Sequence, residues 1–202
     1  RKNFWCKSTQ VQADDFRNDT FEGITSFTAH PEGTAEVHAE FPDGTKIPIN
    51  YINLSYSQKH EFATGNITSF YAINSPCFKD NELIPIDTEM QQFGTHVILI
   101  TNVQKFFARL QAKLEELNFN CSHKLVKYFD EKAFTEKITP YHKRSMYKYQ
   151  NEFRVFIDSR QLDSMTIELG SLEDISVIAL SNDIHKLKMR LDDAGETATP
   201  YR

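Results

Sequence analysis

The residues best suited to chemistry are Gln150 and Glu152, an amide and a carboxylate two positions apart at the start of an apolar run. Phe153 to Ile157 alternates as a buried strand does. Residues two apart in a strand share a face, so Gln150 and Glu152 can enter one cleft. Together they can bind a hydroxyl or stabilise a developing positive charge. An exposed strand end with Glu152 paired to Arg154 or Arg144 explains the same spacing.

Two further features have the residue types of a ligand site. Thr68 and Ser69 place hydroxyls at the centre of NITSFYAIN, a predicted strand, although Thr is also simply a good strand former. Lys7 and Arg1 bring positive charge to the first predicted strand, where a cation can bind a phosphate. The alternative for both basic residues is an ordinary solvated strand end.

Together these features resemble the ADP-ribosyltransferase superfamily, which has a basic first strand, a Ser/Thr strand and a late Q-x-E. The resemblance implies NAD as cofactor, with a glutamate that binds the ribose hydroxyl and stabilises the transition state as nicotinamide leaves. Carried over by position, Glu152 and Gln150 are the catalytic candidates. The implied cofactor-binding residues are Lys7, Thr68, Ser69 and Tyr149.

Basic and aromatic residues are concentrated just before Glu152. Cations neutralise phosphates and tyrosines stack on unpaired bases, so this patch favours a nucleic-acid or protein target. The alternative is a solvated loop whose tyrosines anchor it to the core. The predicted target-binding residues are Tyr141, Lys143, Arg144 and Lys148.

A second resemblance is to an uncharacterised bacterial family that recurs in phage-defence and mobile-element settings. It rests on Arg17–Gly23 (RNDTFEG), which is similar to that family's N-D-P-F-E-G signature, and on Glu152-Phe153-Arg154, which is similar to its late E-F/Y-R strand. Phe93 to Ile100 and Gly170 to Ile175 add similarity. The resemblance implies an antitoxin or defence-system partner, whereas turn and helix-cap chemistry also explains Asp19 and Glu22.

Metal chemistry is the least supported reading, and we predict no metal site. A metal-dependent nuclease would have to use the early acidic residues, and no lysine completes a recognisable nuclease spacing there. The three cysteines lie far apart without Cys/His ligand spacing, which favours a reducing cytoplasm. The acids concerned are Asp14, Asp15, Asp19 and Glu22.

Composition limits the classes of function. The 202 residues have a net charge of −5 and 40% hydrophobic content, typical of a globular domain rather than a general polyanion binder. No apolar run reaches the ~20 residues of a membrane span. We therefore predict one domain over residues 1–202, with residues 192–202 as a loosely ordered tail.

The elements that must position these residues are mostly strands. Alternation predicts strands at 3–8, 23–30, 35–41, 45–54, 66–74, 95–100, 124–129, 153–157 and 165–169. Asn102 to Leu117 has the clearest helical spacing, with a Thr101/Gln104 capping box and an apolar stripe interpreted as core. Short helices are expected at 88–93 and 184–191, one helical turn within 56–64, and a short helix or loop at 142–149. Because strands rarely alternate with helices, the fold class is α+β with mostly antiparallel sheets.

The leading hypothesis is an NAD-dependent ADP-ribosyltransferase-like effector, an anti-phage or toxin enzyme that modifies nucleic acid or protein. The competing hypothesis is a non-catalytic sensor or nucleic-acid-binding module of a bacterial defence system that uses the Tyr/Lys/Arg patch.

Overall fold

Short strands dominate the computed structural model, which describes residues 4–6, 24–59, 65–74, 83–84, 86–160 and 163–187. One α-helix, α1 (Val103–Glu116), and three 3₁₀ helices (Thr88–Phe93, Ser145–Gln150 and Ser181–Lys186) complete the described elements. The strands are β1 (Phe4–Cys6), β2 (Ile24–Pro31), β3 (His38–Glu40), β4 (Lys46–Pro48), β5 (Asn53–Lys59), β6 (Asn66–Tyr71), β7 (His96–Ile100), β8 (Asn120–Leu125), β9 (Lys127–Phe129), β10 (His142–Arg144), β11 (Glu152–Asp158), β12 (Met165–Ile167) and β13 (Ser176–Leu180).

The sheet that positions the candidate site has the order β6-β11-β8 and is antiparallel throughout. Antiparallel pairs also join β1 to β12, β2 to β5, β3 to β4 and β7 to β13, whereas β9 and β10 are parallel. The predicted α+β class with mostly antiparallel sheets is confirmed. The predicted tail at 192–202 lies outside the described residues.

One face of β11 packs on α1 and makes the main core. Val155 and Ile157 have no exposed surface, and they cluster with α1 residues at helical spacing. Phe106, Leu110 and Leu114 of the predicted stripe are buried, but Val103 and Leu117 at its ends are exposed, which corrects the prediction there. Among the described residues, no helix has both the length and the apolar character to cross a membrane.

A second core cluster supports the segment that approaches β11 from its other face. Phe129, Phe134 and Ile138 pack on Phe27 and Ala29 of β2. The Ala29 amide donates to the Phe134 carbonyl at 3.0 Å. This packing holds β9 and the chain that leads into β10.

Several boundaries differ from the predictions for identifiable reasons. Asn102 caps α1 by accepting from the Lys105 amide at 2.9 Å, so the Thr101/Gln104 capping box is wrong. The helical turn expected within 56–64 is wrong over the described part, because β5 pairs with β2 and the sheet overrides a weak local preference. The single strand expected at 124–129 is divided at Val126, whose amide donates to the Glu152 carbonyl instead.

Three other short elements refine the predictions. The 3₁₀ helix Thr88–Phe93 ends at Gly94 and confirms the expected short helix. The segment 142–149 contains β10 and most of the 3₁₀ helix Ser145–Gln150, so it is neither a single short helix nor a loop. The helix expected at 184–191 begins earlier, as the 3₁₀ helix Ser181–Lys186, and residues after 187 lie outside the described part.

Truncation of the α1 core should separate buried from exposed positions of one helix. Leu110→Ala removes a side chain that is 2% exposed and should lower the free energy of unfolding by about 2–5 kcal/mol. Val103→Ala, at a position 55% exposed, should cost less than about 1 kcal/mol. Urea denaturation of both variants measures the difference, and equal losses would contradict the packing of β11 on α1.

Candidate functional site

Glu152, the first residue of β11, lies at the centre of a buried ionic cluster. Its Oε1 accepts from Lys143 Nζ at 2.5 Å and its Oε2 accepts from Arg154 Nε at 2.6 Å. The exposed fractions of Glu152, Lys143 and Arg154 are 6%, 3% and 1%. Ser69 of β6 also donates to Oε2, at 3.0 Å, and is the exposed member of the cluster. The carboxylate therefore has three side-chain partners, of which Ser69 is the exposed one.

A left-handed residue at the end of the 3₁₀ helix brings Gln150 to the same place. Asn151 has a φ of 38° and bonds Ala72 at the end of β6 through both side chain and backbone. Gln150 Oε1 then accepts from Lys143 Nζ at 2.6 Å. Gln150 and Glu152 converge as the spacing predicts, but through a turn and a shared ammonium group rather than along one strand.

Two tyrosines help to fix this turn. The Tyr128 hydroxyl accepts a hydrogen bond from the Glu152 backbone amide at 2.8 Å. Burial is the main reason that the pKa of Tyr128 rises to about 12. Tyr149, predicted to bind a cofactor, is half-buried, and its hydroxyl accepts from Gln150 Nε2 at 3.0 Å. Tyr149 thus lies beside the cluster, with the Gln150 amide between it and Lys143.

The charges of the cluster keep Glu152 ionised. Burial pushes the pKa of the Glu152 carboxyl upward, but the positive charges and hydrogen bonds of Arg154 and Lys143 outweigh burial, so the pKa lies below its ordinary value. Two cations and one carboxylate leave the three-residue group with one excess positive charge. Such a group offers both an ionised acceptor and attraction for an anion.

Thr68 and Ser69 do not line one site, because adjacent residues of a strand point to opposite faces. Ser69 lies opposite Arg154 and faces the cluster, whereas Thr68 lies opposite Val155 on the core face. Of the two residues predicted to shape a cofactor cleft, Ser69 therefore lies on the cluster side of the sheet and Thr68 on the core side. Its burial beside Val155 agrees with the simpler interpretation of Thr as a strand residue.

The predicted target-binding patch is divided by burial. Lys143, predicted to contact a target, points inward to Glu152 rather than to solvent. Arg144 is half-buried and donates to the Tyr147 hydroxyl at 3.2 Å. Tyr141 bonds Ser122 at 2.6 Å and is half-buried, so it anchors the segment to β8. Lys148 alone of the four predicted contacts is exposed.

Arg154 is the main residue that the functional interpretation left out. It appeared there as a partner of Glu152 at an exposed strand end, yet both residues are buried. The E-x-R spacing carried the signal, since it places both side chains on one face of β11. The spacing does not predict that Arg154 is buried, because a distant part of the chain covers it. The Pro140 carbonyl in that part accepts from Arg154 Nη1 at 2.8 Å.

Several residues singled out in the sequence lie outside the described part of the chain. Arg1 and Lys7 lie outside the described residues, as does the Arg17–Gly23 signature. The acids of the nuclease alternative, Asp14, Asp15, Asp19 and Glu22, also lie outside them. Within the described part of the chain, no group of three or more His, Cys, Asp or Glu side chains is arranged to hold a metal ion.

Comparison with known proteins gives no independent assignment. No protein-family model matches the chain, and searches of curated proteins and of solved structures found no match. The geometry of the cluster is accordingly the basis for a functional proposal.

The lowered pKa of Glu152 makes a prediction about acid stability. Below the ordinary glutamate value of about 4.3, the unfolded chain binds a proton that the folded chain does not. Stability contributed by Glu152 is thus present above that pH and is lost as the pH falls toward the folded pKa, by up to about 1.4 kcal/mol per pH unit. Glu152→Gln should remove this part of the slope in urea denaturation between pH 7 and pH 3.

Ser69→Ala is the matched control, because it removes one hydrogen bond to Glu152 and leaves the carboxyl in place. Its unfolding free energy should keep the wild-type dependence on pH. If Glu152→Gln also followed the wild-type curve, Glu152 would have to titrate alike in the folded and unfolded chains.

Proposed function

We propose that the chain is an NAD-dependent ADP-ribosyltransferase-like enzyme with Glu152 as the catalytic carboxylate. One observation carries the proposal: the Ser69 hydroxyl bonds the Glu152 carboxylate at 3.0 Å across the adjacent strands β6 and β11. The sequence predicts a ligand site on these two strands, because β6 has hydroxyls at its centre and β11 begins with the glutamate of a Q-x-E motif. A contact between the two side chains is what a shared active site requires, and their separation of 83 positions in sequence does not impose it.

In this mechanism Glu152 accepts a hydrogen bond from a ribose hydroxyl. It also stabilises the positive charge that develops at the ribose carbon. The bond from that carbon to the nicotinamide nitrogen breaks, and its electron pair leaves with nicotinamide. An acceptor lone pair then forms the new bond, and the acceptor proton passes to solvent. An ionised carboxylate is needed throughout, and the lowered pKa of Glu152 supplies it at neutral pH.

The neighbouring groups have matching roles in this proposal. Ser69 is the solvent-facing entry to the carboxylate, Gln150 orients the acceptor, and Tyr149 offers a ring beside Gln150 for stacking on nicotinamide. Lys7 retains its proposed phosphate contact from the sequence pattern alone.

The closed geometry adds one requirement. Both oxygens of Glu152 are bonded to cations, and these cations oppose the positive charge that develops during the reaction. A bound substrate must therefore exchange with at least one of them. Turnover by this mechanism requires an open form of the cluster.

The biological setting is part of the same proposal. The acceptor is a nucleic acid or protein that contacts the exposed side of the 3₁₀ helix Ser145–Gln150, where Lys148 lies. We propose a toxin or anti-phage role in the cytoplasm, with an antitoxin or another defence-system component as partner. The alternative of a non-catalytic nucleic-acid-binding module is weakened, because Lys143 and Tyr147 are buried rather than available for phosphates and bases.

Nicotinamide release from NAD tests the proposal directly. Wild-type protein should release nicotinamide and transfer labelled ADP-ribose to an acceptor in a bacterial lysate. Glu152→Gln should lower the rate by about 100-fold or more, since it removes the charge that stabilises the transition state. Ser69→Ala should lower it less, because the carboxylate remains.

Glu136→Gln is the control for loss of a carboxylate, since Glu136 is exposed and pairs with Lys127 at 3.5 Å away from the cluster. It should keep the wild-type rate. Thermal melting identifies a variant that has lost its fold. The proposal is wrong if folded Glu152→Gln matches wild type, or if neither wild type nor any folded variant of the cluster releases nicotinamide.

A further inference from the structure

The two cations that hold Glu152 are attached to the structure in different ways. Arg154 lies on the same strand, donates Nε to Glu152, and donates Nη1 to the Pro140 carbonyl at 2.8 Å. It is held at two points and is 1% exposed. Lys143 comes from β10 and reaches Glu152 through a flexible four-carbon stem. The further partners of Lys143 are the side chains of Gln150 and Tyr147, so its displacement moves side chains, whereas displacement of Arg154 also breaks a bond to the backbone.

Lys143 makes two contacts besides its bond to Glu152. Its Nζ donates to Gln150 Oε1 at 2.6 Å and lies 4.9 Å from the centre of the Tyr147 ring, a cation–π distance. If the ammonium releases Glu152 Oε1, these two groups still satisfy it. A buried charge that keeps other partners can move at a smaller cost than one that is left unpaired.

The segment that carries Lys143 is joined to an exposed surface. β10 is three residues long and pairs with the equally short β9. It runs directly into the 3₁₀ helix Ser145–Gln150, where Met146 is 63% exposed and Lys148 is exposed. A molecule that binds this helix can displace β10 and draw Nζ away from Glu152.

We propose that Lys143 is an autoinhibitory cation, which occupies Glu152 Oε1 until substrate or target binding displaces it. This regulation rests on the proposed function of Glu152. It explains why a catalytic carboxylate is closed on both oxygens: one cation maintains its ionisation and position, and the other blocks it.

Lys143→Met is the decisive variant, because methionine is similar in length and carries no charge. If the closed form holds about nine-tenths of the wild-type molecules, removal of the block should raise apparent NAD affinity about tenfold. Nicotinamide release at low NAD concentration should rise by a similar factor, with a lower KM. Lys127→Met is the matched control, since Lys127 lies on neighbouring β9, is exposed and pairs with Glu136. It should leave the rate unchanged.

The outcomes distinguish the two proposals. Faster turnover in Lys143→Met than in wild type supports the block. An active wild type with an equal or slower Lys143→Met overturns the block and leaves the proposed function standing. If neither wild type nor Lys143→Met releases nicotinamide, both the block and the proposed function are overturned.

A second measurement covers the case in which Lys143→Met does not fold. Titration of wild-type protein with benzamide adenine dinucleotide, in which a carbon–carbon bond replaces the bond from ribose to the nicotinamide nitrogen, can be followed by NMR of the lysine ammonium groups. Displacement predicts that the Lys143 signal shifts on binding and that Lys143→Gln binds this analogue more tightly. An unchanged Lys143 signal in the bound protein would overturn the block.

Discussion

The ion pairs of Glu152 with Arg154 and Lys143 are the interaction on which the rest of this region depends. Three charged side chains are almost fully removed from water, and each alone would cost several kcal/mol to bury. They are tolerated because Glu152 bonds both cations at 2.5 and 2.6 Å, while Ser69, Gln150 and the Pro140 carbonyl satisfy further polar atoms. Loss of one partner leaves a buried charge uncompensated, which typically costs about 3–5 kcal/mol.

The sheet makes this cluster possible by separating two environments on one strand. Val155 and Ile157 face α1 and give β11 an apolar anchor, while Glu152 and Arg154 face the segment 139–150. Alternation along the strand keeps the charged residues out of the hydrophobic core. The same alternation separates Ser69 from Thr68. Strand pairing thus determines which hydroxyl meets the carboxylate.

The cluster can be interpreted as a purely structural clamp, meaning a set of ion pairs that only stabilises the fold, or as an active site closed by a cation. The two interpretations account for different features of the structure. A clamp explains the burial and the ion pairs. It does not by itself explain why an exposed serine bonds the carboxylate, or why one cation is bonded to the backbone and the other only to side chains. Those two features favour a carboxylate that a ligand reaches from the Ser69 side. They are the reason that catalysis, rather than a surface that binds nucleic acid, is proposed.

The sequence by itself determined the elements with strong local patterns. The apolar period of α1, the alternation of β11 and the glycine that ends the 3₁₀ helix at 88–93 are local signals, so they predicted the α+β class and a buried strand at β11. It also identified Gln150 and Glu152 as a pair, because their spacing is local.

Only the tertiary structure decided what surrounds that pair. The inward direction of Lys143, the burial of Arg154 and the choice of Ser69 over Thr68 depend on chain segments 9 to 83 positions from Glu152 or on their packing. The sequence around a basic residue is the same whether its side chain is exposed to solvent or bonded to a buried carboxylate. Its partner depends on where the fold places it relative to distant strands. For that reason Lys143 was predicted to hold a target, whereas the fold turns it onto Glu152.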